Sequence, residues 1–167
     1  MDGVRAFWNG RLISKNGNLI ACPQWFTQKL PIDIQLDGEL WMGRHNTHTN
    51  VTAVLSSKTA DWNQISYYIF DIPSSLGKTY EERIEEMELL KPVLPIHVHV
   101  VENIQRMGND HPKDYLSSIL ALKGEGLMIR KPQTSYERGY TTSLLKVKVT
   151  TYQNTNMFRY SKIRKLQ

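Results

Sequence analysis

Apolar and polar residues alternate along several short stretches of this chain, whereas only a few stretches have the spacing of a helix. The runs from Val4 to Trp8 and from Leu12 to Ser14 flank Asn9-Gly10, a dipeptide typical of tight hairpin turns. Further strands are predicted over 34–41, 65–70, 96–101, 127–129 and 144–149.

Three segments have helical patterns. The clearest covers 79–90: Thr79 can cap it, Glu82 stands three residues later as a capping box requires, and the apolar residues share one face. Shorter helices are predicted over 24–30 and 112–123. Strands dominate and the helices are interspersed irregularly, so we expect an α+β fold with mostly antiparallel sheets.

The length of 167 residues and the 40% of hydrophobic residues suit one domain with a substantial core. No apolar run is long enough for a membrane span, so we expect no membrane partner. The chain contains one cysteine, Cys22, which excludes an intrachain disulfide but indicates no compartment.

The net charge of +5 is a weak signal for nucleic acid, because it is concentrated near the end of the chain. No acidic residue lies within 149–167, and the basic residues there are Arg159, Lys162, Arg164 and Lys165. We expect the chain from Thr150 onward to be a loosely attached basic tail.

Short motifs occur in a fixed order. The chain begins Met1-Asp2-Gly3-Val4-Arg5, which matches a Lys-x-Asp-Gly-x-Arg nucleotidyltransferase signature without its lysine. Five more segments follow in order: Ser14–Gly17, Leu36–Trp41 (with Asp37-Gly38-Glu39), Tyr68–Asp71, Glu125–Arg130 and Leu144–Lys148. This ordered series resembles the adenylation domain of ATP-dependent DNA ligases, especially the small bacterial type, whose nucleotidyltransferase fold is ATP-grasp-like.

The resemblance implies a nucleotide site on several of these motifs. Asp2 and Arg5 fall at the acid and the ribose- or phosphate-contacting arginine of the signature, and Glu39 falls at a ribose or metal residue. Phe70 corresponds to the aromatic residue that stacks on adenine, although an aromatic strand residue taken alone is more often part of the core.

Glu125 corresponds to the acid that contacts the catalytic metal, so the resemblance implies ATP and Mg²⁺ as cofactors, with Glu125 and Glu39 as metal residues. Lys146 and Lys148 alternate along one strand and therefore share a face. Two such ammonium groups repel unless an anion lies between them, and in the family that anion is the triphosphate; the alternative is a solvated edge strand. His97 and His99 also share a face, but without a third ligand we expect them to be structural.

Two features depart from the family pattern. The signature places its nucleophilic lysine immediately before Met1, so we expect a lysine codon directly upstream and no adenylylation by the chain without it. The residues after Lys148 are too few for the OB-fold domain that follows in DNA ligases. We therefore expect an incomplete adenylation domain over 1–149 and a basic tail over 150–167.

The resulting hypothesis is ATP binding and transfer of AMP to a 5′-phosphate at a nick in double-stranded DNA, by a monomer. One alternative is an mRNA-capping or RNA-ligase type of nucleotidyltransferase, which shares the lysine signature. The other is a non-catalytic nucleotide- or DNA-binding remnant.

Overall fold

The computed structural model describes residues 1–57, 59–152 and 155–164. For 150–152, 155–160 and 162–164 it describes the backbone only. The described residues form two β-sheets with helices around them. Most strand pairs are antiparallel, which confirms the α+β prediction.

The first sheet has five strands in the order β2-β1-β3-β4-β5. In chain order they are β1 (Val4–Trp8), β2 (Leu12–Ser14), β3 (Leu36–Trp41), β4 (Ser66–Asp71) and β5 (Val98–Val100). The Asn9-Gly10 turn joins β1 to β2, as predicted. Only β4 and β5 pair in parallel within this sheet, because the chain crosses over between them.

Four α-helices are described: α1 (Gln24–Thr27), α2 (His48–Ser56), α3 (Tyr80–Leu90) and α4 (His111–Ala121). The predicted capping box of α3 is present, since the backbone N–H of Thr79 donates to the Glu82 carboxylate at 2.6 Å. Helix α2 was not predicted. Its sequence contains threonine, asparagine and valine, which are poor helix formers. The helix is stabilised at its start, where the backbone N–H of Thr47 donates to the Asn50 side chain, and by burial of Val51.

The second sheet consists of β6 (Leu127–Arg130), β7 (Tyr140–Tyr152) and β8 (Thr155–Arg164), all antiparallel. The prediction of a loosely attached segment from Thr150 onward is therefore wrong for the backbone of β8, which pairs with β7 along most of its length. Lys165 and the two residues after it lie outside the described part of the chain.

The core lies on one face of the five-stranded sheet. Leu36, Leu40 and Ile69 are fully buried there, together with Met87 from α3. Tyr67 is also fully buried, and its hydroxyl donates to the carbonyl oxygens of Ala6 and Leu36, each at 3.1 Å. The phenol thus has hydrogen-bond partners inside the core, which removes the cost of burying it. The face of this sheet that points away from the core is available for other contacts.

Within the described residues, no helix combines the length and the apolar composition that a membrane crossing would need.

Candidate functional site

The site begins where the chain enters β1. The backbone N–H of Gly3 donates to Glu39 Oε1 at 2.8 Å, which joins the start of β1 to β3. A Cβ atom at Gly3 would lie 2.2 Å from the carbonyl oxygen of Leu40. This close approach excludes any side chain, so the glycine of the signature has a packing reason to be there.

Arg5 lies on β1 directly opposite Glu39 in the strand register. Its Nε donates to Asp37 Oδ1 at 2.9 Å and its Nη2 donates to the other carboxylate oxygen. The guanidinium also lies 5.5 Å from the ring centre of Phe70 on β4. Because a bidentate pair fixes the plane of a guanidinium, Asp37 determines how Arg5 is presented beside Phe70.

Three charged residues of the second half of the chain form one cluster. Lys146 Nζ donates to Glu125 Oε2 at 3.0 Å, and Lys148 donates to Glu125 Oε1. The prediction that both lysines share a face is confirmed, because they contact the same carboxylate. Glu125 is thus the anion between them in this structure, and all three side chains are partly exposed, at 29% for Lys146, 41% for Lys148 and 30% for Glu125.

The ion pairs of this cluster shift the pKa values of its acid and its lysine in opposite directions. Burial would raise the pKa of Glu125, but hydrogen bonds from Lys148 and Lys146 outweigh it and the net shift is downward. The pKa of Lys148 is raised, chiefly by its hydrogen bond to Glu125, with a smaller contribution from the charge of Asp2. Asp2 therefore belongs to the surroundings of this cluster, although it lies before β1.

Glu39 connects the two halves of the site. Burial raises the pKa of Glu39, while its bond from Gly3, the Met1 amino group and Lys146 act in the opposite direction. The charge of Glu125 also raises the pKa of Glu39. The carboxylates of the two sheets are thus near enough to affect each other.

The structure therefore joins Glu125, Lys146 and Lys148 by hydrogen bonds. The charges of Asp2 and Glu39 interact electrostatically with this cluster, and Arg5 and Phe70 lie on the same sheet face as Glu39. Within the residues that the structure describes, no group of three histidine, cysteine or acidic side chains is arranged to hold a metal ion. The site offers two carboxylates, Glu39 and Glu125. That set fits Mg²⁺, which is usually held by one or two carboxylates together with substrate phosphates.

Sequence reasoning missed a buried charge cluster beside Phe70. Asp37 and Asp71 are partners in the β3–β4 register. Asp71 accepts hydrogen bonds from Arg83 Nε at 2.6 Å and from Arg130 Nη1 at 2.8 Å. Asp71 and Arg83 are fully buried. Nothing local in the sequence indicates these pairs, because they join β4, α3 and β6.

His97 and His99 make contacts away from the site. His97, which precedes this strand, shares a hydrogen bond with the Phe26 carbonyl oxygen at 2.8 Å and stacks on the Phe26 ring. His99 packs against Tyr68. Both contacts are structural, as the sequence predicted.

Comparison with known proteins agrees with this arrangement. The family model described as "ATP dependent DNA ligase domain" matches residues 19–148. A DNA ligase of Haemophilus influenzae is 30% identical over 149 residues, which cover 89% of this chain and 55% of that ligase. The chain therefore spans about half the length of this curated relative.

Solved structures with a similar fold include two DNA ligases. One, from a structure–function analysis of Lig E DNA ligases that concerns DNA binding with a minimal scaffold, is 30% identical with a TM-score of 0.81, over 89% of this chain and 59% of that one. The other, a Chlorella virus DNA ligase-adenylate, is 19% identical with a TM-score of 0.68, over 95% of this chain and 72% of that one. At that identity the second structure supports the fold alone.

Proposed function

Because this chain belongs to the family of ATP-dependent DNA ligases, we propose that it is the nucleotidyltransferase (adenylation) domain of such an enzyme. It binds ATP and, together with a lysine directly before Met1, takes AMP from ATP and passes it to a 5′-phosphate at a DNA nick. The observation that supports this proposal best is the Glu125–Lys146–Lys148 cluster, whose charges act on Glu39, the residue bonded to Gly3 where the signature enters β1.

The residues of the site have separate roles in this proposal. Phe70 stacks on the base, Arg5 holds the ribose or the first phosphate, and Glu39 holds the ribose or a metal ion. Lys146 and Lys148 exchange the Glu125 carboxylate for phosphate oxygens when the triphosphate enters. Their charges then neutralise the phosphates, which otherwise repel an incoming nucleophile. The charge of Asp2 contributes to the raised pKa of Lys148 and so favours the protonated ammonium form that the phosphates need.

Mg²⁺ belongs to the proposal as a partner of Glu125 and Glu39. When bound, it would supply further charge neutralisation on the phosphates. Release of Glu125 from the two lysines would free its oxygens for such a role, so phosphate binding by the lysines and cation binding by Glu125 are linked.

The first experiment measures nucleotide binding to the chain itself. Calorimetric titration with ATP, GTP and adenosine should give weak binding, no tighter than high micromolar, because contacts from Phe70, Lys146 and Lys148 must first offset the lost freedom of the bound ligand. Preference for ATP over GTP is expected, and a preference for GTP would favour a capping type of enzyme. No binding of any nucleotide at millimolar concentration would contradict the proposed site.

The second experiment tests the nucleophile. The chain extended by one lysine before Met1 should retain radiolabelled AMP through denaturing electrophoresis after incubation with ATP and Mg²⁺. The same chain extended by one alanine is the matched control and should retain none. Label on the control or on the unextended chain would show that another lysine reacts and that the assigned register is wrong.

The proposed macromolecular partner is nicked double-stranded DNA. The net charge of +5 supports electrostatic attraction, and binding of a nicked duplex should be weak and fall steeply with salt concentration. A gel-shift comparison of nicked and intact duplexes would show whether the chain prefers the nicked form. We also propose a monomer, which light scattering on the purified chain would check.

A further inference from the structure

A single connector links the second sheet to the arginine of the signature. Residues 131–139 join β6 to β7, and Tyr136 in this connector donates its hydroxyl to Asp37 Oδ2 at 3.0 Å. Asp37 is the carboxylate that holds Arg5 in a bidentate pair. The connector of one sheet thus contacts, through one carboxylate, a side chain of the other sheet that the proposed function assigns to the nucleotide.

The path of this connector is fixed at two more points. The backbone N–H of Gln133 donates to both carboxylate oxygens of Glu81, at 2.9 and 3.1 Å. Arg83 Nη1 donates to the Thr134 carbonyl oxygen at 3.1 Å. Gln133 has a φ of 53°, in the left-handed region that residues other than glycine rarely adopt. A strained residue persists only where its surroundings hold it, so these anchors determine where Tyr136 lies.

Asp37 needs more than one donor to stay in a single orientation. It is buried, and an ionised carboxylate out of contact with water is stable only when its oxygens are hydrogen-bonded. Its Oδ2 accepts from both Arg5 and Tyr136, whereas Oδ1 accepts from Arg5 Nε. Loss of the phenol donor would leave the carboxylate freer to rotate, and the guanidinium bound to it would rotate as well.

We propose that Tyr136 is a positioning residue for nucleotide binding, which acts by holding Asp37 and thereby the guanidinium of Arg5 beside Phe70. This inference rests on the proposed function, because it assumes that Arg5 contacts the nucleotide. The hydroxyl stays a donor throughout the working pH range, since burial and the Asp37 charge raise the pKa of Tyr136. Tyr136 itself touches neither the base nor the phosphates in this proposal.

The test is Tyr136→Phe, which removes the hydroxyl and keeps the ring. ATP affinity measured by calorimetry should fall about three- to tenfold, less than the full effect of losing a hydrogen bond to a charged group, because Tyr136 acts on the nucleotide only through Asp37 and Arg5. The matched control is Tyr80→Phe, whose hydroxyl donates to Asn103 instead, and ATP affinity should not change. In an Arg5→Lys background, which lacks the bidentate fork, Tyr136→Phe should have no further effect.

A second measurement, made on the protein without nucleotide, tests the inference independently of ATP binding. In ¹⁵N-arginine-labelled protein, exchange of the Arg5 Nε–H proton with water should be several times faster in Tyr136→Phe than in the unsubstituted chain. The Nε–H of Arg83, bonded to Asp71 at 2.6 Å, is the internal control and should be unchanged.

The outcomes separate the two proposals. Absence of ATP binding by the unsubstituted chain contradicts the proposed function, and the exchange rates then still decide whether Tyr136 orders Arg5. Unchanged ATP affinity and unchanged Arg5 exchange in Tyr136→Phe would overturn the inference. An equal loss of affinity with and without Arg5 would also overturn it, because Tyr136 would then act by another route.

Discussion

Replacement of both Lys146 and Lys148 by alanine should distinguish a phosphate site from a charged surface. In the structure both ammonium groups contact the Glu125 carboxylate, on the side of the site that faces Glu39. If they bind phosphates, the double variant loses affinity for ATP but not for adenosine, which has no phosphate. If they only neutralise Glu125, the two ligands should be affected alike.

The expected loss of ATP affinity follows from the exposure of the two side chains, 29% for Lys146 and 41% for Lys148. A hydrogen bond to a charged group typically contributes about 1.5–3 kcal/mol, and an exposed ion pair only about 0.2–1 kcal/mol. Partly exposed lysines lie between these limits, and each must give up a bond to Glu125 before it binds phosphate. A total of about 2 kcal/mol corresponds to a rise of about 30-fold in the dissociation constant for ATP.

Calorimetry at fixed pH and ionic strength gives both dissociation constants. The control is Lys91→Ala with Lys113→Ala, which removes the same charge from lysines paired with Glu88 and Asp110 on exposed helix surfaces. This control should leave ATP binding within about twofold, because exposed, solvated charges are screened by salt and contribute little. Equal losses for ATP and adenosine in the Lys146 and Lys148 variant would refute the assignment and leave these lysines as surface charge.

Four further predictions concern the other residues of the site and the buried charges beside it. Phe70→Ala should weaken ATP and adenosine equally, by about 1–3 kcal/mol as for other base–aromatic stacks, in the same calorimetric assay. Burial raises the pKa of Glu39 above its ordinary value of 4.5, so its ionised form weakens the fold as pH rises; Glu39→Gln should therefore melt higher than the unsubstituted chain near pH 7 and lose that advantage in acid. Lysine contacts lower the pKa of Glu125, so Glu125→Gln should melt lower near pH 7, and thermal melts should show this difference vanish as pH falls through the lowered pKa. Arg83→Met, which breaks a fully buried ion pair, should cost about 3–5 kcal/mol in urea unfolding, whereas Lys78→Met at an exposed pair should cost less than about 1 kcal/mol.

Local signals predicted the parts of the fold that local physics determines. The Asn9-Gly10 turn and the Thr79 capping box were read correctly, because turn and cap preferences depend on a few adjacent residues. The alternation of Lys146 and Lys148 likewise placed both on one face. Each of these features needs no knowledge of distant partners.

The features that were missed depend on distant pairing. Strand β8 has no strict alternation of apolar and polar residues and carries three basic residues, yet its backbone pairs with β7. The contact between Tyr136 and Asp37 joins residues that are far apart in sequence, and the β3–β4 register that sets Asp37 opposite Asp71 is a property of the assembled sheet. Such contacts cannot be read from spacing, because no local pattern specifies which strand will be the neighbour.

The two groups of charges in the site differ in a way that bears on function. Arg5 and Asp37 form a pair that is largely shielded from water, and such a pair is costly to separate, so it suits a fixed orientation. Glu125 and its two lysines are partly exposed, and exposed pairs separate at little cost, so they suit groups that exchange partners when an anionic ligand enters. The buried pair thus fits the role of a rigid support beside Phe70, whereas the exposed cluster fits the role of a phosphate contact. Tyr136 belongs to the first group, and for that reason we expect its loss to disturb orientation rather than charge.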